Sequence, residues 1–403
     1  MTSKQIVEKA LDKGKGVMRL APTWVPRAFC RPAKRIKLHP DDYYVLGLER
    51  GGIDERWFSS TTPADNGPLT AHDEGLSYIV ADDAGKEKAL LIDAVSDFKG
   101  AIIGDELYKK YGKWPMYSKF FDNLGPLPHH IHHSDKYAAL VDQPGKPEMY
   151  FFPSQMNNYG GEFPFTFFGF NPEVTKDQVK QALINFTKGD NKLLDLSRAY
   201  KLSLDTGWDV PPGILHAPGS LCTYEPQFAS DVYAMYQSVL YFDHCVPAEL
   251  LWKNCPEDKI GDFDYLIEII DWEKNVDPQF SKNRQLKPQP VRDLKEMQSE
   301  GYTEEWICYK SDVVSAKRLT VLPQQTVTIK DAAAYGFILL QGHGKFGAHE
   351  ISTPTLIRYG EMTNDEFFVT ENAAREGISI TNYSKNEPLV MLKHFAENKE
   401  LEI

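Results

Sequence analysis

The chain has 403 residues, with 45 Lys and Arg against 57 Asp and Glu, so its formal charge is −12. That balance leaves no phosphate-neutralising excess and argues against non-specific nucleic-acid binding. No apolar run approaches the ~20 residues that cross a bilayer, so no membrane partner is expected.

The first ~40 residues are weakly periodic, with prolines and scattered basic residues, and read as a helix followed by an extended arm. Asp12, Lys13 and Lys15 sit where the apolar core of a signal peptide would lie. Cys30, Cys222, Cys245, Cys255 and Cys308 are odd in number and widely spaced, which fits reduced thiols rather than a disulfide framework. A cytoplasmic protein is expected. From Tyr43 onward, short apolar runs broken by Gly, Pro, Asn and Asp read as strands, at 76–80, 89–92, 138–141, 148–152 and 163–170.

Asn171-Pro172 signals a helix start, with Asn as cap and Pro at the first turn, running through Val174, Val179, Ala182, Leu183 and Phe186. A second helix is expected from Asp262, carrying Leu266, Ile269 and Ile270 on one face. A turn-rich stretch from Asp277-Pro278 to Pro290 separates a C-terminal part that returns to strands. These are placed at 317–321, 326–329, 336–341, 355–358, 366–369 and 389–392.

Four histidines fall within five residues: His129, His130, His132 and His133. On a strand, alternate side chains share a face, so His130 and His132 form a two-nitrogen clamp. His129 and His133 then point off that face, as supporting or surface residues. Downstream, Glu148 precedes an aromatic strand, and Pro211-Pro212-Gly213 forms a turn presenting His216. Zn, Ni, Fe and Mn all accept imidazole with a carboxylate completing the set.

In order and spacing these segments resemble the type I phosphomannose isomerases of the cupin superfamily. Pro126-Leu127-Pro128-His129-His130-Ile131-His132-His133-Ser134-Asp135 is similar to that family's Pro-Leu-Ser-x-Gln-x-His-Pro-Asp. Lys146-Pro147-Glu148, Pro211 to Ala217, Glu225 and Ser230-Asp231 follow in register. Trp114 to Lys119 and Glu55 to Ser59 resemble two upstream segments. The resemblance implies a mainly β chain with inserted helices, a double cupin of two β-barrel or jelly-roll domains plus a helical segment. Its parts would be a helix and arm at 1–42, a metal-binding cupin with an inserted helix at 43–245, a helical linker at 246–300, and a cupin without metal ligands at 301–403. It also implies metal ligands His130 (in the family's Gln position), His132, Glu148 and His216, with Glu225 as base and Lys146 and Lys119 orienting substrate. One divalent metal is expected, zinc first, with Ni, Fe, Mn or Co as alternatives. The implied activity is an aldose–ketose isomerase of the mannose-6-phosphate type, acting by enediolate proton transfer on a small sugar or sugar phosphate. Nothing in the sequence indicates an oligomeric state.

The match fails where the family handles phosphate. Met235 stands in place of an Arg, and no phosphate-facing Lys has a counterpart in 237–246. Either other cations (Lys119, Lys146, Lys136 or Arg198) bind the phosphate, or the sugar is unphosphorylated. A non-catalytic sugar-binding cupin and an Fe(II) cupin oxygenase are the remaining alternatives, the long gap between His133 and Glu148 weighing against the oxygenase.

Overall fold

The computed structural model describes residues 1–157, 163–240 and 244–397. Of the segment 237–246, residues 241–243 lie outside them, as do 398–403 of the C-terminal part. The expected mainly β architecture is present as antiparallel sheets with helices inserted between strands.

Two sheets build the lobe that carries the histidine cluster. A seven-stranded sheet runs, in spatial order, Gln285–Leu286, Gly207–Val210, Glu148–Phe151, Thr223–Phe228, Met116–Phe121, Gly52–Phe58 and Thr23–Arg27. A five-stranded sheet runs Ser197–Lys201, Phe165–Phe170, His216–Ala217, His130–Ile131 and Ala234–Met235. Aromatic side chains join them: the Phe168 ring lies 6.0 Å from Tyr150 and 5.0 Å from Trp208.

The second lobe has a nine-stranded sheet whose centre is Ser315–Val321, Leu389–Phe395, Tyr335–Gln341 and Glu366–Val369. The N-terminal arm does not stand apart from this sheet. Val17–Leu20 pairs with Glu366–Val369 and with Tyr78–Val80, whereas Thr23–Arg27 joins the first lobe by pairing with Gly52–Phe58. The arm therefore stitches the two lobes. A buried Arg56, bonded to Asp365 at 2.8 and 2.9 Å, reinforces the seam.

Four local expectations are corrected. Residues 138–141 finish the helix Asp135–Ala138 and form a 3-10 turn, Ala139–Val141, because only Ala138 of that apolar run is buried. The strand at 89–92 ends at Leu90, and the helix Leu91–Phe98 follows, burying Leu91, Ala94 and Val95 at helical spacing. The helix placed at Asn171 begins at Lys176, because Thr175 and Gln178 form a capping box while Asn171 closes a turn onto Val174. Residues 355–358 make a single bridge, Leu38 to Ile357, just after Pro354. The helix from Asp262 forms as expected, Phe263–Ile269, with the Asp262 carboxylate accepting from the backbone N–H of Asp264 and Tyr265. It belongs to a run of short helices between the lobes that also includes Trp272–Asn275 and Phe280–Arg284.

Candidate metal centre

Three neighbouring elements bring the histidines together. His130 pairs directly with His216 across the ladder, and His132 follows the same strand two residues on. Glu148 starts the strand Glu148–Phe151, whose partner strand carries Gln227 opposite it. The turn before His216 is held from behind by Asn275. Its side chain accepts from the Leu215 N–H at 2.8 Å and donates to the Gly213 carbonyl at 2.6 Å. Gly213 needs its φ of +82° to make that turn.

The donor atoms converge. Ligand atoms of His130, His132 and His216 lie within 4.8 Å of one another, and all three residues are buried. Each Nδ1 donates to a backbone carbonyl: His130 to Pro128 at 2.8 Å, His132 to Val232 at 2.7 Å and His216 to Ile214 at 2.8 Å. A carbonyl only accepts, so each ring carries its proton on Nδ1 and presents a bare Nε2 lone pair to the centre. Glu148 meets these lone pairs with its two oxygens, at 3.1 Å from both His132 Nε2 and His216 Nε2. Such acceptor-to-acceptor approaches repel unless a cation sits among them. His216 Nε2 is buried without a hydrogen-bond partner among the described residues, as a ligand to a cation would be. This donor set fits a divalent metal.

Titration points the same way. Burial, with the neighbouring His216 and His132, holds the His130 pKa well below its ordinary value, and burial brings His132 to about 3. Both rings are thus neutral ligands. Burial alone would raise Glu148, but His132 and Lys146 hold its carboxyl well below the usual range, leaving it ionised. Its Oε1 also accepts from the Tyr150 hydroxyl at 2.6 Å.

Beside this centre lies a buried chain of alternating charges. The Lys146 ammonium lies 2.9 Å from Glu148, 3.1 Å from His132 Nε2 and 3.5 Å from Glu225. Lys119, directly opposite Glu225 in the ladder, lies 3.3 Å from Glu225 and 3.5 Å from Glu55. Arg27 continues the chain, 3.3 Å from Glu55 and 3.3 Å from Asp231. Burial and the charge of Glu148, partly offset by Lys119 and Lys146, push Glu225 up to about 8. Buried as Lys119 is, Glu225 and Glu55 keep its pKa above the ordinary lysine value.

The sequence-derived candidates His130, His132, Glu148, His216, Glu225, Lys146 and Lys119 therefore fall in one buried cluster. His129 and His133 are fully buried, which corrects the surface reading; His129 Nδ1 donates to Gln237 at 2.6 Å. Lys136 is exposed over the Tyr137 ring, and Arg198 lies by Tyr200 and Phe280. Arg27, Tyr150 and Asn275 were missed. Arg27 sits in the arm and Asn275 in a separate helix, and neither carries a local signal that it reaches this centre. Tyr150 is readable as core, its hydroxyl role visible only once the strand is aligned with Glu148.

No family model and no curated protein matches the sequence. Solved structures match closely in shape. One is the mannose 6-phosphate isomerase from Bacillus subtilis, at TM-score 0.60 and 13% identity, with 94% of this chain and 99% of that chain covered. Another is a point mutant of phosphomannose isomerase from Salmonella typhimurium, at TM-score 0.63 and 12% identity, covering 95% and 100%. The chain has the phosphomannose isomerase fold. The double-cupin expectation, with helices inserted, is that fold. Nearly the whole of this chain aligns with nearly the whole of each of these phosphomannose isomerase structures. No helix is long and apolar enough to cross a membrane.

Proposed function

We propose that this protein is a metal-dependent aldose–ketose isomerase acting on a small sugar or sugar phosphate. The observation that carries the reading is the convergence of three Nε2 lone pairs and the Glu148 carboxylate beside a second carboxyl, Glu225, flanked by two lysines. His130, His132, His216 and Glu148 would hold one divalent ion, zinc first among the candidates because it accepts this mixed imidazole and carboxylate set. When bound, such an ion supplies Lewis-acid polarisation of a sugar carbonyl.

The remaining chemistry belongs to the chain. Glu225, with its pKa raised to about 8, is suited to take the proton from C2 and return it at C1. Lys119 and Lys146, each within 3.5 Å of Glu225, keep that carboxyl in place and present N–H donors to sugar hydroxyls. Tyr150 and the carbonyls of Pro128, Val232 and Ile214 fix the orientation of Glu148 and the imidazoles. The buried setting limits bulk water around the transferred proton.

An unphosphorylated sugar is the second reading, and a specific arrangement favours it. Met235 stands buried and directly opposite His130, and Lys146, Lys119 and Arg27 are each already paired with carboxylates. Metal analysis followed by incubation with mannose 6-phosphate and free mannose in deuterated water tests both. Ketose formation with deuterium at the transferred position from either sugar supports the isomerase, and the preferred sugar decides the phosphate question. Saturable sugar binding without turnover would point to a non-catalytic cupin. Oxygen uptake with iron and no ketose would point to an oxygenase.

A further inference from the structure

A cavity of about 900 Å³ lies away from the candidate metal centre, with none of the proposed ligands in its lining. It lies beyond the opposite end of the same strands. Ser154–Met156, just after the strand Glu148–Phe151, forms one wall; the arm around Lys34 to Pro40 forms a second; and the C-terminal lobe supplies the third through Gln341 to His343 and Ser352 to Leu356. A cavity of this size is in the range that takes a small organic ligand.

Its polarity is unlike that of the chain as a whole. In a protein of net charge −12, the lining includes Lys34, Arg35 and Lys37, with Glu387 the one carboxylate among the described lining residues. Arg35 is committed to structure, donating to Asp122 at 2.6 Å and to the Ser220 carbonyl at 2.8 Å. Neither lysine forms an ion pair among the described residues. Lys34 lies over the Tyr43 ring at 5.6 Å, and Lys37 is half-buried.

Both lysines hold left-handed backbone, φ +71° for Lys34 and +65° for Lys37, a conformation that non-glycine residues adopt at a cost. The backbone around Lys37 is clamped by reciprocal bonds with Ile357, whose N–H donates to the Lys37 carbonyl while His39 N–H donates back, both at 2.8 Å. Burial, opposed in part by Asp365, lowers the Lys37 pKa from its ordinary value, as befits an ammonium with no counter-ion in contact.

We infer that this cavity is a second ligand site, separate from the metal centre, that takes a small soluble phosphate-bearing anion at the Lys34 and Lys37 side of its lining. Ammonium groups bind phosphate as point charges, and charge-assisted bonds are the strong ones. Because the walls come from both lobes and the arm, a bound anion would tie them together and stabilise the folded chain.

Equilibrium dialysis of labelled inorganic phosphate against the full-length protein at about 0.15 M salt tests this, with and without chelation of metal. The expected result is saturable binding that survives chelation and weakens at least about tenfold in Lys37→Gln and in Lys34→Gln, with Lys37→Arg retaining it. Phosphate is also expected to raise the melting temperature of the wild type more than that of either Gln variant. Lys34 is exposed, so its variant folds normally and keeps the test decisive if Lys37→Gln proves unstable. Absence of saturable binding, binding lost on chelation, or equal binding by the wild type and the Lys34→Gln variant would overturn the inference.

Discussion

Asn275 offers the sharpest test of how the fold holds the metal centre. It touches no proposed ligand, yet it is fully buried and grips the turn that presents His216. Its side chain accepts from Leu215 N–H at 2.8 Å and donates to the carbonyls of Gly213 at 2.6 Å and Asp271 at 2.7 Å. Asn275→Ala removes three hydrogen bonds and leaves the Leu215 N–H buried without a partner, whereas the Gly213 carbonyl keeps the Asp271 N–H at 3.0 Å. An orphaned buried group costs about 1–3 kcal/mol, which is the expected loss in folding stability. The second consequence is positional. His216 lies one residue beyond Leu215, and loss of an orienting contact behind a metal ligand typically weakens binding by about 10–100-fold. Urea denaturation measures the first effect and competition with a chromophoric chelator the second. A stability loss below about 1 kcal/mol, which would be a typical surface substitution, together with unchanged metal affinity would refute the reasoning.

The other predictions concern the ligands, the base and pH. His132→Ala and His216→Ala each lose the metal while far-UV circular dichroism stays native, and retention of a full equivalent by the double variant would remove the ligand assignment. Glu225→Gln keeps the metal but lowers kcat by about 10²–10⁴-fold, the usual contribution of a positioned acid–base group, as read by deuterium incorporation from solvent. His394 Nδ1 lies 2.8 Å from the Ser118 hydroxyl and 3.0 Å from the Tyr224 hydroxyl, and burial brings its pKa to about 3. The unfolded chain binds a proton near pH 6.5 that the native state refuses, so this contribution is whole above about pH 6.5 and is lost as pH falls towards 3, by up to about 5 kcal/mol. His394→Asn should therefore show a flatter dependence of melting temperature on pH across that window, and an unchanged slope would count against the assignment.

Some of this molecule was legible locally, because the forces involved are local. His-x-His on one strand, a carboxylate ahead of an aromatic strand and a Pro-Pro-Gly turn before His216 are patterns of neighbouring residues, and all four side chains meet. The cap at Asp262 was readable for the same reason. Where two local signals competed, reading failed. Asn171-Pro172 looked like a helix start, but the capping box of Thr175 and Gln178 satisfies more of the orphan N–H groups and set the start four residues on. The short apolar runs at 138–141 and 89–92 carry too few residues to separate helical from strand periodicity, and burial decided them.

By itself, then, the sequence determined the set of chemically competent side chains and their approximate order along β structure, since these depend on residue type and spacing. Tertiary structure decided everything that depends on distant segments meeting. It put Arg27 of the arm at the end of the Glu225–Lys119–Glu55 chain, Asn275 behind His216, and Val17–Leu20 into the sheet of the C-terminal lobe. It also left Lys34 and Lys37 facing a cavity while the lysines at the metal centre were paired with carboxylates. A lysine's role depends on whether a carboxylate lies within ion-pair reach. That distance is fixed by strand register and lobe packing, which no local pattern encodes.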